Sequence, residues 1–338
     1  MAVNKRKAFG WAFLAVVLFA ILGGYIWLRD RTAPTQAGGP FFVRYDRPTT
    51  LPRVLNDLVK RDVVRDPQAM RVYAFFARTP TQIRAGTYRF HGGMSAGEIL
   101  AGLKRPVTQM VRIPDTNWAQ RTANLLESKY EVCAAADYMA LVHNPKQFQG
   151  IVSFPLPETS LEGYLYPDTY ELPPLLGAKA VVTRQLKAFE TKVWQPLHHP
   201  KDLQRILTVA SMVQLEAGRD DERAAIAGVI ENRLAKGMRL QIDATILYGI
   251  QKWKRLTFAD YKNLDTPYNT YLHNGLPPGP ICSPTVASIK AAMAPDQEGG
   301  NVFYVAMPGQ RSVFAPTYAE HLKNIKKRRE ALKALEAR

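Results

Sequence analysis

With 338 residues, 46% of them hydrophobic and 22% charged, the chain is long enough for two or three domains and has the composition of a globular protein. Its 45 Lys and Arg against 29 Asp and Glu leave a formal net charge of +16, which attracts polyanions such as nucleic acid, anionic lipid or an acidic wall polymer. The basic residues are spread along the chain without a zinc-finger, RRM or helix-turn-helix signature, which argues against nucleic acid, and Cys133 and Cys282 fit no metal spacing and are read as unpaired thiols, with a single disulfide between them as the alternative.

Lys5, Arg6 and Lys7 precede "AFGWAFLAVVLFAILGGYIWL", an uncharged run from Ala8 to Leu28. A bilayer-spanning helix needs about 20 such residues, whereas a cleavable signal has an apolar core of about 7–15 and a small-residue cleavage site. No such site follows, so the segment is read as an uncleaved anchor over 8–28, with a cytoplasmic tail at 1–7. The basic residues before the span place that end in the cytoplasm, although Arg29 and Arg31 reduce the asymmetry. The rest of the chain is then expected outside the inner membrane face, in the periplasmic space.

A polar linker, "RDRTAPTQAGGP" (29–40), is followed by "FFVRY", read as a strand. Thr50 and Pro52 open a helix, and Asp66 before Pro67 caps another, "PQAMRVYAFFAR". "GTYRF" (86–90) is a second strand. Strand, helix, helix, strand over 41–108 has the order of a LysM-type carbohydrate-binding module, a pattern that other small α+β modules share. Ser95 and Glu98 form a capping box before "ILAGLK". "VTQMVRIP" reads as a strand and "NWAQRTANLLESK" as a helix within a connecting α+β region over 109–200, whose proline-rich part contains "SLEGYLYPDTYELPP". The last domain is placed at 201–338, so the expected class is α+β, with a mixed α/β catalytic domain.

That domain opens on "LQRILTVASMVQLE", Leu203 to Glu216. On a helix, Ile206, Val209, Ala210 and Val213 share a face, and Glu216 ends the stripe, with Gly218 available for a left-handed stop. Apolar neighbours and the negative end of the helix dipole both favour the protonated carboxyl, the form a general acid needs. "DDERAAIAGVIENRL" follows as a second helix with Asp220 and Asp221 as candidate caps, leaving Glu216 at the corner of a hairpin. "MRLQIDATILYG" (238–249) sets Gln241, Asp243 and Thr245 at alternate positions, as on one face of an extended segment. The irregular "DTPYNTYLHNGLPPGPICSP" (265–284) offers Tyr268, Asn269, Tyr271, His273 and Asn274 for stacking on and bonding to sugars, and "FAPTYAEHL" brings His321 at the start of the last helix.

The pieces "AGTYRF", "LEGYLYPDTY", "VASMVQLEAG", "NRLAKGMRLQIDATILYG", "DTPYNTYLHNGLPPGPICSP" and "FAPTYAEH" resemble, in order, the endolytic murein transglycosylases of the YceG-like group. The resemblance implies an inner-membrane lytic transglycosylase cutting the MurNAc–GlcNAc bond of nascent peptidoglycan strands to leave 1,6-anhydro ends and limit strand length. It implies a LysM-like subdomain and glycan synthases as candidate partners. It implies no cofactor or metal, and neither a phosphate-binding Gly-rich loop nor an H-E-x-x-H motif occurs. Glu216 matches the family's catalytic glutamate, with Gln241, Asp243, Thr245, Tyr268, Asn269 and His321 as glycan-binding candidates. The family's usual first glutamate of the pair is Gln214 here. A water-using muramidase pairing Glu216 with Asp220, Asp221 or Asp243, and a non-catalytic wall-binding scaffold, remain as alternatives.

Overall fold

The computed structural model describes residues 2–309 and 311–336; Met1 of the N-terminal tail and Ala337 and Arg338 of the basic C-terminal tail lie outside them. The chain is a mixed α/β protein that divides into two compact units, Met1–Gln109 with Pro173–Leu176, and Met110–Leu172 with Gly177–Arg338.

The first unit begins with α1 (Ala2–Arg31). Its stretch Phe9–Arg31 is 23 residues long and contains an 18-residue window of mean hydropathy 2.2 with no buried residue, so by length and composition it can cross a bilayer. After the linker come β1 (Phe41–Tyr45), β2 (Thr49–Thr50), α2 (Leu51–Val59), α3 (Pro67–Phe76), β3 (Gln82–Ile83), β4 (Gly86–Phe90) and α4 (Ala96–Gly102). β1 and β4 pair antiparallel, with Phe41 opposite Phe90, Val43 opposite Tyr88 and Tyr45 opposite Gly86, while β2 pairs with β3. Period-2 burial along β1 and β4 and period-3.6 burial along α2 send Val43, Tyr88, Phe90, Val54, Leu55 and Leu58 into one core, joined by Met70, Ile99 and Leu100. The caps form as their sequences require. Asp66 accepts from the N–H groups of Gln68 and Ala69 at 2.8 and 3.1 Å, and Ser95 and Glu98 close a reciprocal capping box.

The second unit contains β5 (Met110–Arg112), α5 (Ala119–Ser128), α6 (Ala135–Val142), β6 (Thr169–Glu171) and α7 (Ala178–Phe189). They are followed by α8 (Leu203–Glu216), α9 (Arg223–Ala235), α10 (Asp243–Gly249), α11 (Phe258–Asn263) and α12 (Val286–Met293), and by β7 (Phe303–Val305), β8 (Val313–Ala315) and α13 (Tyr318–Glu336). β5 pairs with β6 and β7 with β8, both antiparallel. α8 is the centre of the unit, packed by α9, α10 and α12. Sequence periodicity predicts one apolar stripe on it, yet every residue from Leu207 to Gln214 is buried, because neighbouring helices cover all its sides. Gly228, in the middle of α9, is where the backbone of Asp296 lies against the helix in the space a Cβ would take. Asp296 donates its N–H to the Ala224 carbonyl at 2.9 Å, which locks that approach.

Two local expectations are corrected. α8 stops through an extended Ala217 at φ −73° and ψ 115°, and Gly218 does not adopt a left-handed conformation. Asp220 and Asp221 do not cap α9; their carboxylates pair with Arg223, and with Arg219 and Arg311. A charged guanidinium outcompetes a backbone N–H for an exposed carboxylate that can reach both.

Candidate active site

The last turn of α8 leaves Glu216 half-buried at the open edge of the hairpin with α9. Its Oε2 accepts a 2.7 Å hydrogen bond from the hydroxyl of Tyr304 on β7. Burial raises the pKa of Glu216 above the ordinary carboxylate range; the Tyr304 bond pulls it down and the charge of Asp243 pushes it further up. Burial and then the Glu216 charge raise the Tyr304 phenol well above its own usual value, so Tyr304 stays a donor to the carboxyl.

Asp243 reaches this site because the segment 238–249 is not extended. It is irregular as far as Ile242 and turns into α10 at Asp243. Gln241 adopts a left-handed φ of 56°, which breaks the alternation that the sequence suggests. The reason is a knot of hydroxyls. Thr245 Oγ1 donates to the Ile242 carbonyl at 2.6 Å and meets Thr270 Oγ1 at 3.0 Å, and Thr270 Oγ1 accepts from the Ile242 N–H. Thr245 is therefore fully buried and structural, while Asp243 and Gln241 are exposed. Asp243 takes a bond on each oxygen, 2.7 Å from Tyr271 and 3.2 Å from Tyr261, whose rings stand 4.6 Å apart.

The loop after α11 is held from within by Asn269. Its amide donates to the carbonyls of Tyr261 and Leu264 at 3.3 and 2.9 Å, and its oxygen accepts from the Tyr271 N–H at 2.9 Å. Asn269 has no exposed surface, so it sets the position of Tyr271 instead of meeting a ligand. Tyr268 is half-buried with its ring 4.6 Å from Tyr248, the end of an aromatic row through Trp118 to Trp253. His273 is engaged by Asp265 at 2.8 Å.

Beside the Glu216–Tyr304 pair lies a cavity of about 360 Å³ whose wall includes Gln241, Tyr271, Tyr304, His321, Arg233 and Phe303. His321 stacks on Phe303 at 4.9 Å, and burial, then the nearby Arg233 charge, lowers its pKa, so the ring is neutral. Arg233 is bound by carbonyls: Nε donates to Val302 at 2.6 Å, and Nη1 to Leu240 at 2.7 Å. It ties β7 to the segment carrying Gln241. The structure thus gathers Glu216, Asp243, Gln241 and His321 into one region, leaves Tyr268 in the aromatic row with Tyr248, outside the cavity wall, and assigns Thr245 and Asn269 to its support. Tyr304 and Arg233 were not singled out by sequence reasoning. "NVFYVA" carries no motif, and Tyr304 meets Glu216 across 88 residues of sequence.

Gln214 points elsewhere. Two residues along a helix is a rotation of about 200°, and its amide enters a polar knot away from the Glu216–Tyr304 pair. Its oxygen accepts from Thr285 Oγ1 at 2.8 Å and Ser288 Oγ at 2.9 Å, with Arg223 at 3.5 Å, and its nitrogen donates to Asp115 at 3.1 Å. In Gln214→Glu the donor to Asp115 becomes a second carboxylate. Thermal unfolding at pH 7 is expected to show a loss of about 1–3 kcal/mol, shrinking in acid as one of the two carboxylates takes up a proton.

The fold matches the crystal structure of a putative yceG-like protein from Listeria monocytogenes with a TM-score of 0.56 and 26% identity, covering 84% of this chain and 98% of that one. A protein named endolytic murein transglycosylase from Bacillus subtilis is 30% identical over 325 residues, 90% of this chain and 89% of that one. A Streptococcus pneumoniae protein of the same name is 26% identical, the match spanning 94% of this chain and 65% of the pneumococcal one. The model of the YceG-like family matches residues 43–327. The chain belongs to the YceG-like family.

Proposed function

We propose that the protein is a lytic transglycosylase that cleaves the MurNAc–GlcNAc bond of peptidoglycan strands, with Glu216 as acid and then base. The observation that carries this reading is a half-buried carboxyl of raised pKa, bonded to Tyr304, beside a cavity lined with tyrosines, Gln241 and His321. The relatives named endolytic murein transglycosylase support the substrate class.

Protonated Glu216 gives its proton to the glycosidic oxygen as the bond to the anomeric carbon breaks. The muramic N-acetyl group steadies the developing positive charge. The 6-hydroxyl oxygen then bonds to the anomeric carbon and its proton passes to the Glu216 carboxylate, which closes the 1,6-anhydro ring and restores the acid. No water is consumed, so one carboxyl suffices where glycoside hydrolases need a pair. Gln241 and His321 line the side where sugar rings would lie. Both oxygens of Asp243 are held by tyrosines, so its role is to keep Glu216 protonated; Asp220 and Asp221 are spent on arginines. In this reading α1 anchors the chain in the cytoplasmic membrane with the remainder outside. Residues 41–108 serve as a LysM-like glycan-binding module, 109–200 connect it to a catalytic domain at 201–338, and trimming nascent strands beside glycan synthases limits their length. The +16 charge suits a substrate bearing lactyl and peptide carboxylates.

Digesting peptidoglycan with the purified protein and weighing the products tests the reading. Anhydro-ended fragments are expected; reducing ends would transfer the site to a muramidase, and intact glycan to a binding module. The pH profile of kcat/KM reports the acid, since activity falls as rising pH deprotonates Glu216. Tyr304→Phe removes a bond that favours the carboxylate, so the alkaline limb is expected at higher pH. Asp243→Asn removes a charge that opposes ionisation, so the limb is expected at lower pH. Shifts in the same direction would contradict these roles.

A further inference from the structure

The end of α3 exposes two neighbouring aromatic rings, Phe75 at 78% and Phe76 at 73%, packed edge to face at 5.6 Å. With Val72 they form the apolar part of a cleft of about 1040 Å³ that also includes Arg71 and Arg78, both exposed. A folded domain that needs no partner there has no reason to leave two phenylalanines in water.

The direction of α3 shows what covers them. Just before its first turn, Arg65 donates at 2.7 Å to the carbonyl of Pro34, beyond the end of the apolar run of α1. Near its last turn, Tyr73 borders a cleft with Ile26, Arg29 and Asp30, at the end of that run. α3 therefore runs back toward the apolar helix, against which it packs, and Phe75 and Phe76 lie two and three residues further in that direction, about 3–5 Å.

We propose that the Phe75–Phe76 edge of the first unit is a membrane-contact surface, its rings entering the headgroup boundary of the bilayer that α1 spans while Arg71 and Arg78 meet anionic lipid phosphates. The proposal rests on Phe9–Arg31 being a membrane span. Apolar rings flanked by cationic side chains match the interface between acyl chains and headgroups, which accepts both at once. Such a contact gives the module a fixed tilt and height above the bilayer, which attachment through a single helix would not impose.

The test uses the full chain in vesicles of phosphatidylcholine with one quarter phosphatidylglycerol. A polarity-sensitive fluorophore is attached, in a Cys133→Ser background with Cys282 buried, at Phe76→Cys, at Gln68→Cys at the opposite end of α3, or at Trp27→Cys in the span. Lipids carrying a nitroxide near the headgroup are expected to quench the label at position 76 at least twofold more than that at position 68. Arg71→Glu with Arg78→Glu is expected to bring that excess down. An unquenched label at position 27 removes the span and this proposal with it. A quenched label at 27 with equal values at 76 and 68 overturns the proposal while the anchor stands. A label at 76 shielded from water yet unquenched by lipid would put a protein on the patch, and also overturns it.

Discussion

Replacing Glu216 with glutamine is expected to reduce release of anhydro-ended fragments by about a hundred- to ten-thousand-fold, the range that a lost general acid–base group accounts for. The fold is expected to survive. Glutamine matches the glutamate in volume, and its amide oxygen can accept the 2.7 Å bond from Tyr304. It also removes a group whose ionisation burial opposes, so the midpoint of thermal unfolding should stay level or rise. Wild-type rates from the variant would end the assignment. A drop in rate together with a collapse of the fold would not do so, and for that case Tyr304→Phe supplies the independent readout through its shifted pH limb.

The second large effect concerns a carboxyl that does no chemistry in this scheme. Glu162, in the "LEGYLYPDTY" segment, is 5% exposed and accepts the Ala119 N–H at 2.9 Å, at the open N-terminal end of α5. Burial lifts its pKa from 4.5 to about 8, against the pull of that N–H. Between those two values the folded chain holds a proton that the unfolded chain has released, so stability falls as pH rises through the window and levels off beyond it. The loss is on the order of 5 kcal/mol. Glu162→Gln cannot ionise, and the amide oxygen can keep the Ala119 bond. The variant is expected to match the wild type near pH 4 and exceed it at pH 8 in denaturant unfolding. Parallel stability curves across the window would show that the buried carboxyl titrates normally.

The neighbourhood of Glu162 explains why the two acids differ in role. Next to it, Gly163 has a φ of 89° and lies against Pro280, where a side chain would collide with the proline ring. The segment is thereby clamped under the loop that carries Tyr268, with a void of only about 10 Å³ around Glu162 and its neighbours. A buried acid with no room for sugar supports the scaffold. Glu216 is also desolvated, but it bonds to Tyr304, which forms part of the wall of a cavity of about 360 Å³.

Local chemistry wrote much of this protein plainly into its sequence. The length and apolarity of α1, the Asp66 cap, the Ser95–Glu98 box, the helical hairpin and the place of Glu216 at its corner all depend on residues within a few turns of one another, so spacing alone reveals them. Where local signals competed with distant partners, the distant partners prevailed. The alternation of Gln241, Asp243 and Thr245 yielded to hydroxyl bonds with Thr270, and Asp221 is drawn to Arg311 from far along the chain. The partners that tune Glu216 come from α10 and from β7, and Glu162 is buried by residues from several elements, none of them adjacent in the chain. A proton's affinity for a carboxyl is set by everything within a few ångströms of it, which only the folded chain assembles. The sequence by itself singled out Glu216 as the proposed acid, and the tertiary structure decided what surrounds it.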